Sequence, residues 1–329
     1  MIAGFILLGT AVLLAAGHVL VRVVLRPGRL VSPSVGVAAS LSLLSLRAAF
    51  SMAVAMLVFA YAGSGDHLSW IQATCVHLAA ALPVAPWHPV LGEHAMGDIA
   101  GLVPAVLLTA SAFLSIMRIS KGHRDLARWL RRRRLGGGPS GSLIVRDGEM
   151  VLAAAGVVRP HVLVSPPTLL LLEDDELDAG LQHEFGHINR RHQMVSACGL
   201  VLRDISKALP GGQDAFDRLT YYLERDADEY AVRRTGSPGA LARAICKLAT
   251  SKSTDHGLAL AAASRTGIHD RLDHLVHHRP SAVRDNLPLV AGTLAISGVA
   301  FALLAVAAGP VLAGGNIAPH LALAGSICG

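Results

Sequence analysis

The chain has 329 residues, of which 52% are hydrophobic, 16% charged and 4% aromatic, with a net charge of +6 and a mean hydropathy of +0.50. Soluble domains carry about a quarter charged residues, so the charged fraction is low for a chain that is soluble along its whole length. It points to membrane spans around one soluble domain of ordinary size. The four cysteines, Cys75, Cys198, Cys246 and Cys328, form no C-x-x-C pair, which excludes a zinc ribbon or a thioredoxin-like motif.

The first apolar run is Ile2 to Leu25, with no charge before Arg22. About 20 such residues cross a bilayer, and the run lacks the basic start of a signal peptide, so it is expected to stay as a span. The second run, Leu41 to Ala62, holds Arg47 near its start, where a long side chain snorkels to the interface. Ile71 to Leu91 is apolar but carries His77, His88, Pro83, Pro86 and Pro89. That suits an interfacial or re-entrant loop, with a full crossing as the other reading. Ile99 to Ile119 is the third run, and Leu287 to Ala313 is the last.

The charges orient these spans. Arg22, Arg26 and Arg29 follow the first, and Arg118, Lys121, Arg124, Arg128 and Arg131 to Arg134 follow the third. Asp66, Glu93 and Asp98 lie between the second and third, with no Lys or Arg. Basic loops stay in the cytoplasm. Residues 1–118 are therefore expected to form a membrane region with the N-terminus outside. Residues 119–286 become a cytosolic domain, and 287–329 a fourth span with a short outer tail. The Arg131–Arg134 run abuts a span and has Trp129 as its one nearby aromatic, so it reads as an anchor on anionic lipid and not as a nucleic-acid surface.

Within the cytosolic part, Leu135 to Ser142 reads LGGGPSGS, a flexible joint. Ser142–Arg146 and Val151–Ser165, around the Asp147–Gly148 turn, predict a small sheet that Pro166 and Pro167 end. Helices are predicted over Asp174–Cys198, Gln213–Thr235, Gly239–Thr250 and Ile268–His277. The first carries His183, Glu184 and His187 in an H-E-x-x-H pattern. On a helix the two histidines lie one turn apart on one face, so both imidazoles reach one ion, while Glu184 sits beside them as a proton acceptor. Asp174, Asp175 and Glu176 open this helix and Arg190 and Arg191 lie toward its end, both favourable to its dipole.

Catalytic zinc takes three protein ligands and a water, so a third ligand is needed. The longer pattern with glycine three residues and histidine six residues after His187 fails, because Arg190 and Gln193 stand there. His192 falls one residue early and is expected to be a bystander. The segment Glu224-Arg-Asp-Ala-Asp228 offers Glu224 as the third ligand and Asp228, one turn on, as the group that holds a ligand histidine by its other nitrogen.

H-E-F-G-H followed by E-R-D-A-D resembles the gluzincin membrane metallopeptidases, with H-E-x-x-H and E-x-x-A-D pairs. The segments Gly156–Ser165 and Leu169–Leu177, and the basic residues after His187, are similar to the BlaR/MecR branch; the HtpX type shares the paired motif. By motif the resemblance covers roughly residues 140–275. It implies a mainly α, four-span membrane protein with an α+β zincin-like domain between spans three and four. It also implies one Zn²⁺ per chain on His183, His187 and Glu224, with Glu184 as general base. The segment Arg271-Leu-Asp-His-Leu275 is similar to an arginine-containing segment of relatives, which gives Arg271 a catalytic part; Tyr221, Tyr222 and His269 are further candidates for an oxyanion donor.

The implied protein sits in the bacterial cytoplasmic membrane and cleaves a cytosolic BlaI/MecI-like repressor. Its partners are that substrate and the bilayer, without direct nucleic-acid contact, and association with further copies of the chain stays open. HtpX-like quality control and a non-catalytic signalling scaffold are the alternatives. The chain departs from BlaR/MecR in one respect: the sequence after Ala313 has no room for a β-lactam-binding domain, so sensing by such a domain is not expected.

Overall fold

The computed structural model describes residues 15, 32–62, 93–209, 211–250 and 267–277. The fold is mainly helical with one small mixed sheet, as expected. Two long helices come first, α1 (Pro33–Ala62) and α2 (Glu93–Arg133). Among the described residues one stretch, Pro33–Met52 in α1, is long and apolar enough to cross a membrane. Ile99–Ile119 lies within α2. The runs Ile2–Leu25 (apart from residue 15), Ile71–Leu91 and Leu287–Ala313 fall outside the described residues.

α1 does not stand apart from the helices later in the chain. Of its Pro33–Met52 window, 61% is buried inside the protein. Val35, Ala39, Leu43 and Leu44 share a core with Ala215, Phe216, Leu219 and Tyr222 of α6 (Gly212–Thr235). Gly36 makes the close approach possible, because a Cβ there would overlap the Tyr222 ring. α2 is tied to α5 (His192–Ile205): Ser111 Oγ donates to the Asp204 carbonyl at 2.8 Å, and Ser115 Oγ donates to the Asp204 carboxylate.

The sheet has the order β1-β2-β4-β3, from β1 (Arg134–Gly137), β2 (Leu143–Val145), β3 (Leu152–Ala155) and β4 (His161–Val164). β1 runs antiparallel to β2, β2 parallel to β4, and β4 antiparallel to β3. The first half of the expected joint at Leu135–Ser142 is therefore an edge strand, with Gly136 opposite Ile144 and Gly137 opposite Leu143. Glycines pair here because an edge strand needs backbone partners more than side chains. Pro139–Gly141 turns the chain, with Ser140 and Gly141 both at positive φ. Val145, Ala155 and Leu163 pack against Leu126, Trp129 and Leu130 of α2, so the end of that helix lies on the sheet.

α3 (Pro166–Leu171) leads to α4 (Asp174–Asn189), and α7 (Pro238–Thr250) and α8 (Ile268–His277) complete the described chain. The single helix expected over Asp174–Cys198 is broken. Arg191 adopts φ +55, the left-handed region, between α4 and α5. Such a residue ends one helix and redirects the next.

α4 starts from a capping box. Glu173 accepts from the Glu176 backbone, and Glu176 reaches back to the Glu173 N–H at 3.1 Å. Glu176 is fully buried and also accepts from Arg243 Nε at 3.1 Å and Lys247 Nζ at 2.6 Å. Burial pushes its carboxyl up, but the lysine, the Glu173 N–H and the arginine outweigh burial and hold it below the usual carboxylate range. A depressed folded pKa gives stability that is present above the unfolded value and lost as pH falls through the folded one. Glu176→Gln is expected to cost about 1–2 kcal/mol at neutral pH, the lower part of the range because Arg243 and Lys247 are partly exposed. The gap from wild type should close below about pH 4. Thermal melting at both pH values checks this; an equal gap at both would show that the charge is not the cause.

Candidate metal centre

α4 and α6 cross with their backbones close. A Cβ on Gly186, inside the H-E-x-x-H segment, would lie 3.2 Å from Ala227 Cα and from the Tyr230 side chain. That approach brings Glu224 of α6 to the two histidines of α4. His183 Nε2 and His187 Nε2 are 3.2 Å apart. Glu224 places Oε2 3.5 Å from the first and Oε1 3.6 Å from the second. The three side chains offer ligand atoms within 4.8 Å of one another.

The donor set fits zinc. Ligand bonds of about 2.0–2.1 Å in a tetrahedron hold neighbouring ligand atoms about 3.3 Å apart, close to the separation of the two histidine nitrogens, and each nitrogen has one Glu224 oxygen within 3.6 Å. Two imidazoles and one carboxylate are also the ligand types that catalytic zinc takes.

Each of the three side chains is braced from behind. Asp228 Oδ1 is 3.0 Å from His183 Nδ1, an off-axis approach that makes an ion-pair contact and not a straight hydrogen bond. α8 delivers Arg271, which is 4% exposed. Arg271 Nη2 and Nε donate to Asp228 at 2.7 and 2.8 Å, and Nη1 donates to Glu224 at 2.9 Å. Behind His187 stands His192, whose Nδ1 is 3.0 Å from His187 Nδ1 and whose Nε2 is 3.1 Å from Asp226 Oδ2.

The charges follow from burial and these neighbours. Burial pushes both Glu224 and Asp228 up, yet the Arg271 guanidinium and the histidines hold both carboxylates below their usual range. Burial opposes charge on His183 and on His187. The Asp228 and Glu224 carboxylates reverse the effect at His183, which ends above the usual imidazole value. At His187 the facing His183 and His192 add to burial and keep it below that value. Glu184 is pushed up to about 7, chiefly by burial and further by the Glu224 charge, against the pull of His183, the Ala154 N–H and Arg271. The Ala154 N–H of β3 donates to Glu184 Oε2 at 2.6 Å.

The structure thus brings together His183, Glu184, His187, Glu224, Asp228 and Arg271. Arg271 braces the two carboxylates. Tyr221 and Tyr222, weighed as oxyanion donors, pack in the core beside α1. β4 lies between β2 and β3, so among the described residues the sheet edge beside Glu184 is β3. His192 was expected to be a bystander and is part of the site. In a straight helix residues 187 and 192 face about 140° apart; only the break at Arg191 turns His192 back. The arginines at 190 and 191 were the available sign of a helix end. No known protein family, curated protein or solved structure matches this chain.

Proposed function

We propose that the protein is a membrane-associated zinc endopeptidase whose site is built on α4 and α6. The observation that carries this reading is the pairing of a three-ligand cluster with Glu184, which points beside the ligands and is held there by an edge strand. A purely structural site closes its fourth position and needs no such base. Bound at His183, His187 and Glu224, Zn²⁺ supplies Lewis-acid polarisation of a scissile carbonyl and acidifies water.

The chain's own residues do the rest. Glu184 accepts a proton from the attacking water at a carboxylate oxygen and passes it to the leaving amine, acting as general base and then as general acid. Ala154 turns its N–H away from β4 and onto Glu184, so Leu152 and Ala154 carry the outward-facing backbone groups of β3. An extended substrate adds to that edge as a further strand, beside the base. Arg271 and Asp228 hold Glu224 and His183 in place.

Two features support a membrane location. Val106, Leu107, Phe113, Leu114 and Ile116 of α2 are exposed, and Arg131, Arg132 and Arg133 end the same helix. An exposed apolar stretch running into a basic one suits the hydrocarbon and the anionic headgroups of a bilayer. The substrate class, a cytosolic repressor, rests on the sequence resemblance alone.

The full chain in detergent should carry about one Zn²⁺ and cleave a winged-helix repressor or an unfolded reporter protein. Removing the metal with a chelator should abolish cleavage, and returning Zn²⁺ should restore it. A zinc-loaded chain that cuts neither protein in detergent or in membranes would favour a non-catalytic scaffold.

A further inference from the structure

The carboxylate behind His183 is the arrangement that the sequence predicts; the group behind His187 is not. His187 Nδ1 faces His192 Nδ1 at 3.0 Å, His192 Nε2 faces Asp226 Oδ2 at 3.1 Å, and Asp226 Oδ1 lies 3.2 Å from Arg190 Nη1. His192 is 5% and Asp226 7% exposed, so water does not replace these partners freely. The two rings of the histidine pair stand edge to face, with centroids 5.0 Å apart.

With both rings neutral and Asp226 ionised, this chain of contacts admits one proton arrangement. A neutral histidine that binds an ion through Nε2 carries its proton on Nδ1. His187 Nδ1 then donates, and His192 Nδ1 must accept. A neutral imidazole that accepts on Nδ1 carries its proton on Nε2, and His192 Nε2 points at a carboxylate oxygen. Asp226 accepts that proton's hydrogen bond and is itself held by Arg190. Between two neutral rings and an ionised Asp226, reversing any one bond sets two donors or two acceptors against each other.

We infer that His192 and Asp226 are positioning residues that commit His187 to binding an ion through Nε2 and fix the angle of its ring. The inference rests on the metal-centre reading above and extends it to the second ligand. The two ligand histidines are then held differently, His183 directly by a carboxylate and His187 by a carboxylate acting through a second imidazole. The left-handed Arg191 is part of the device, because it returns His192 to the site. Partners behind a ligand histidine are typically worth about 10–100-fold in metal affinity.

The test measures Zn²⁺ affinity of the full chain in detergent by competition with a chromophoric chelator, together with melting of the metal-free chain. His192→Phe keeps a flat ring but offers no acceptor, and affinity should fall about 10–100-fold. His192→Asn places an oxygen near the former Nδ1 and should stay within a few-fold of wild type. Zn²⁺ affinity of His192→Phe equal to wild type, or an equal loss in both variants, overturns the inference while leaving the metal centre standing. A wild-type chain that binds no Zn²⁺ overturns both. If His192→Phe does not fold, nitrogen-15 NMR of the zinc-loaded wild type with labelled histidine decides. The His192 resonances, assigned by their loss in His192→Asn, should show the proton on Nε2; a proton on Nδ1 overturns the inference.

Discussion

Glu184→Gln is expected to leave Zn²⁺ content unchanged and to lower peptide cleavage by about 10²–10⁴-fold, the usual worth of a positioned general acid–base group. The side chain is not among the three ligands, so the ion loses no bond. The glutamine oxygen still accepts the Ala154 N–H that holds Glu184 at 2.6 Å, so the side chain keeps its place. What disappears is the ability to take a proton from water. Metal analysis and cleavage rate, measured on the same preparation, separate the two roles. Cleavage at the wild-type rate would remove Glu184 from the mechanism, and loss of zinc along with activity would make it a structural group.

Arg271→Gln is expected to destabilise the metal-free chain by about 3–5 kcal/mol, the cost of breaking a buried ion pair from one side. That is a large part of the 5–15 kcal/mol that typically holds a domain together. The guanidinium gives two hydrogen bonds to Asp228 and one to Glu224, all between 2.7 and 2.9 Å. Without it two carboxylates are left near each other in a buried site. Zn²⁺ returns positive charge to Glu224, so the variant should lose less stability with zinc than without. Arg271→Lys should not restore the wild type, because an ammonium cannot span both carboxylates as a planar fork does. Melting with and without Zn²⁺ checks the order. A shift that is the same in both forms would mean that Arg271 braces the fold and not the ligands.

The centre of the site was legible because its spacing is local. His183 and His187, and likewise Glu224 and Asp228, are four residues apart, and a helix puts such pairs on one face whatever else surrounds it. That the two helices meet at Gly186 is a packing fact, and only the order of the two motifs hinted at it. His192 and Asp226 escaped because their roles depend on a break in the backbone. A left-handed arginine has no strong signature in sequence, and the pattern across 189–192 reads as a continuing helix. The small sheet is visible in its β-branched runs, but its strand order is not, because which strands pair is set by packing and not by a local pattern. Gly136 and Gly137 look like a joint until β2 is there to pair with them.

The shared core of α1 and α6 bears on whether the helices that carry the candidate metal centre can be inherited or excised as an independent unit. A fragment that starts at Arg134 would leave behind Val35, Ala39, Leu43 and Leu44, and would open Leu219 and Tyr222, both fully buried, to solvent. Tyr222 is two residues from Glu224 on the same helix. Moving the α4–α6 pair into another protein therefore means carrying the first described helix along. Gly36 narrows the choice further, since a single added methyl group at that position meets the helix that carries Glu224.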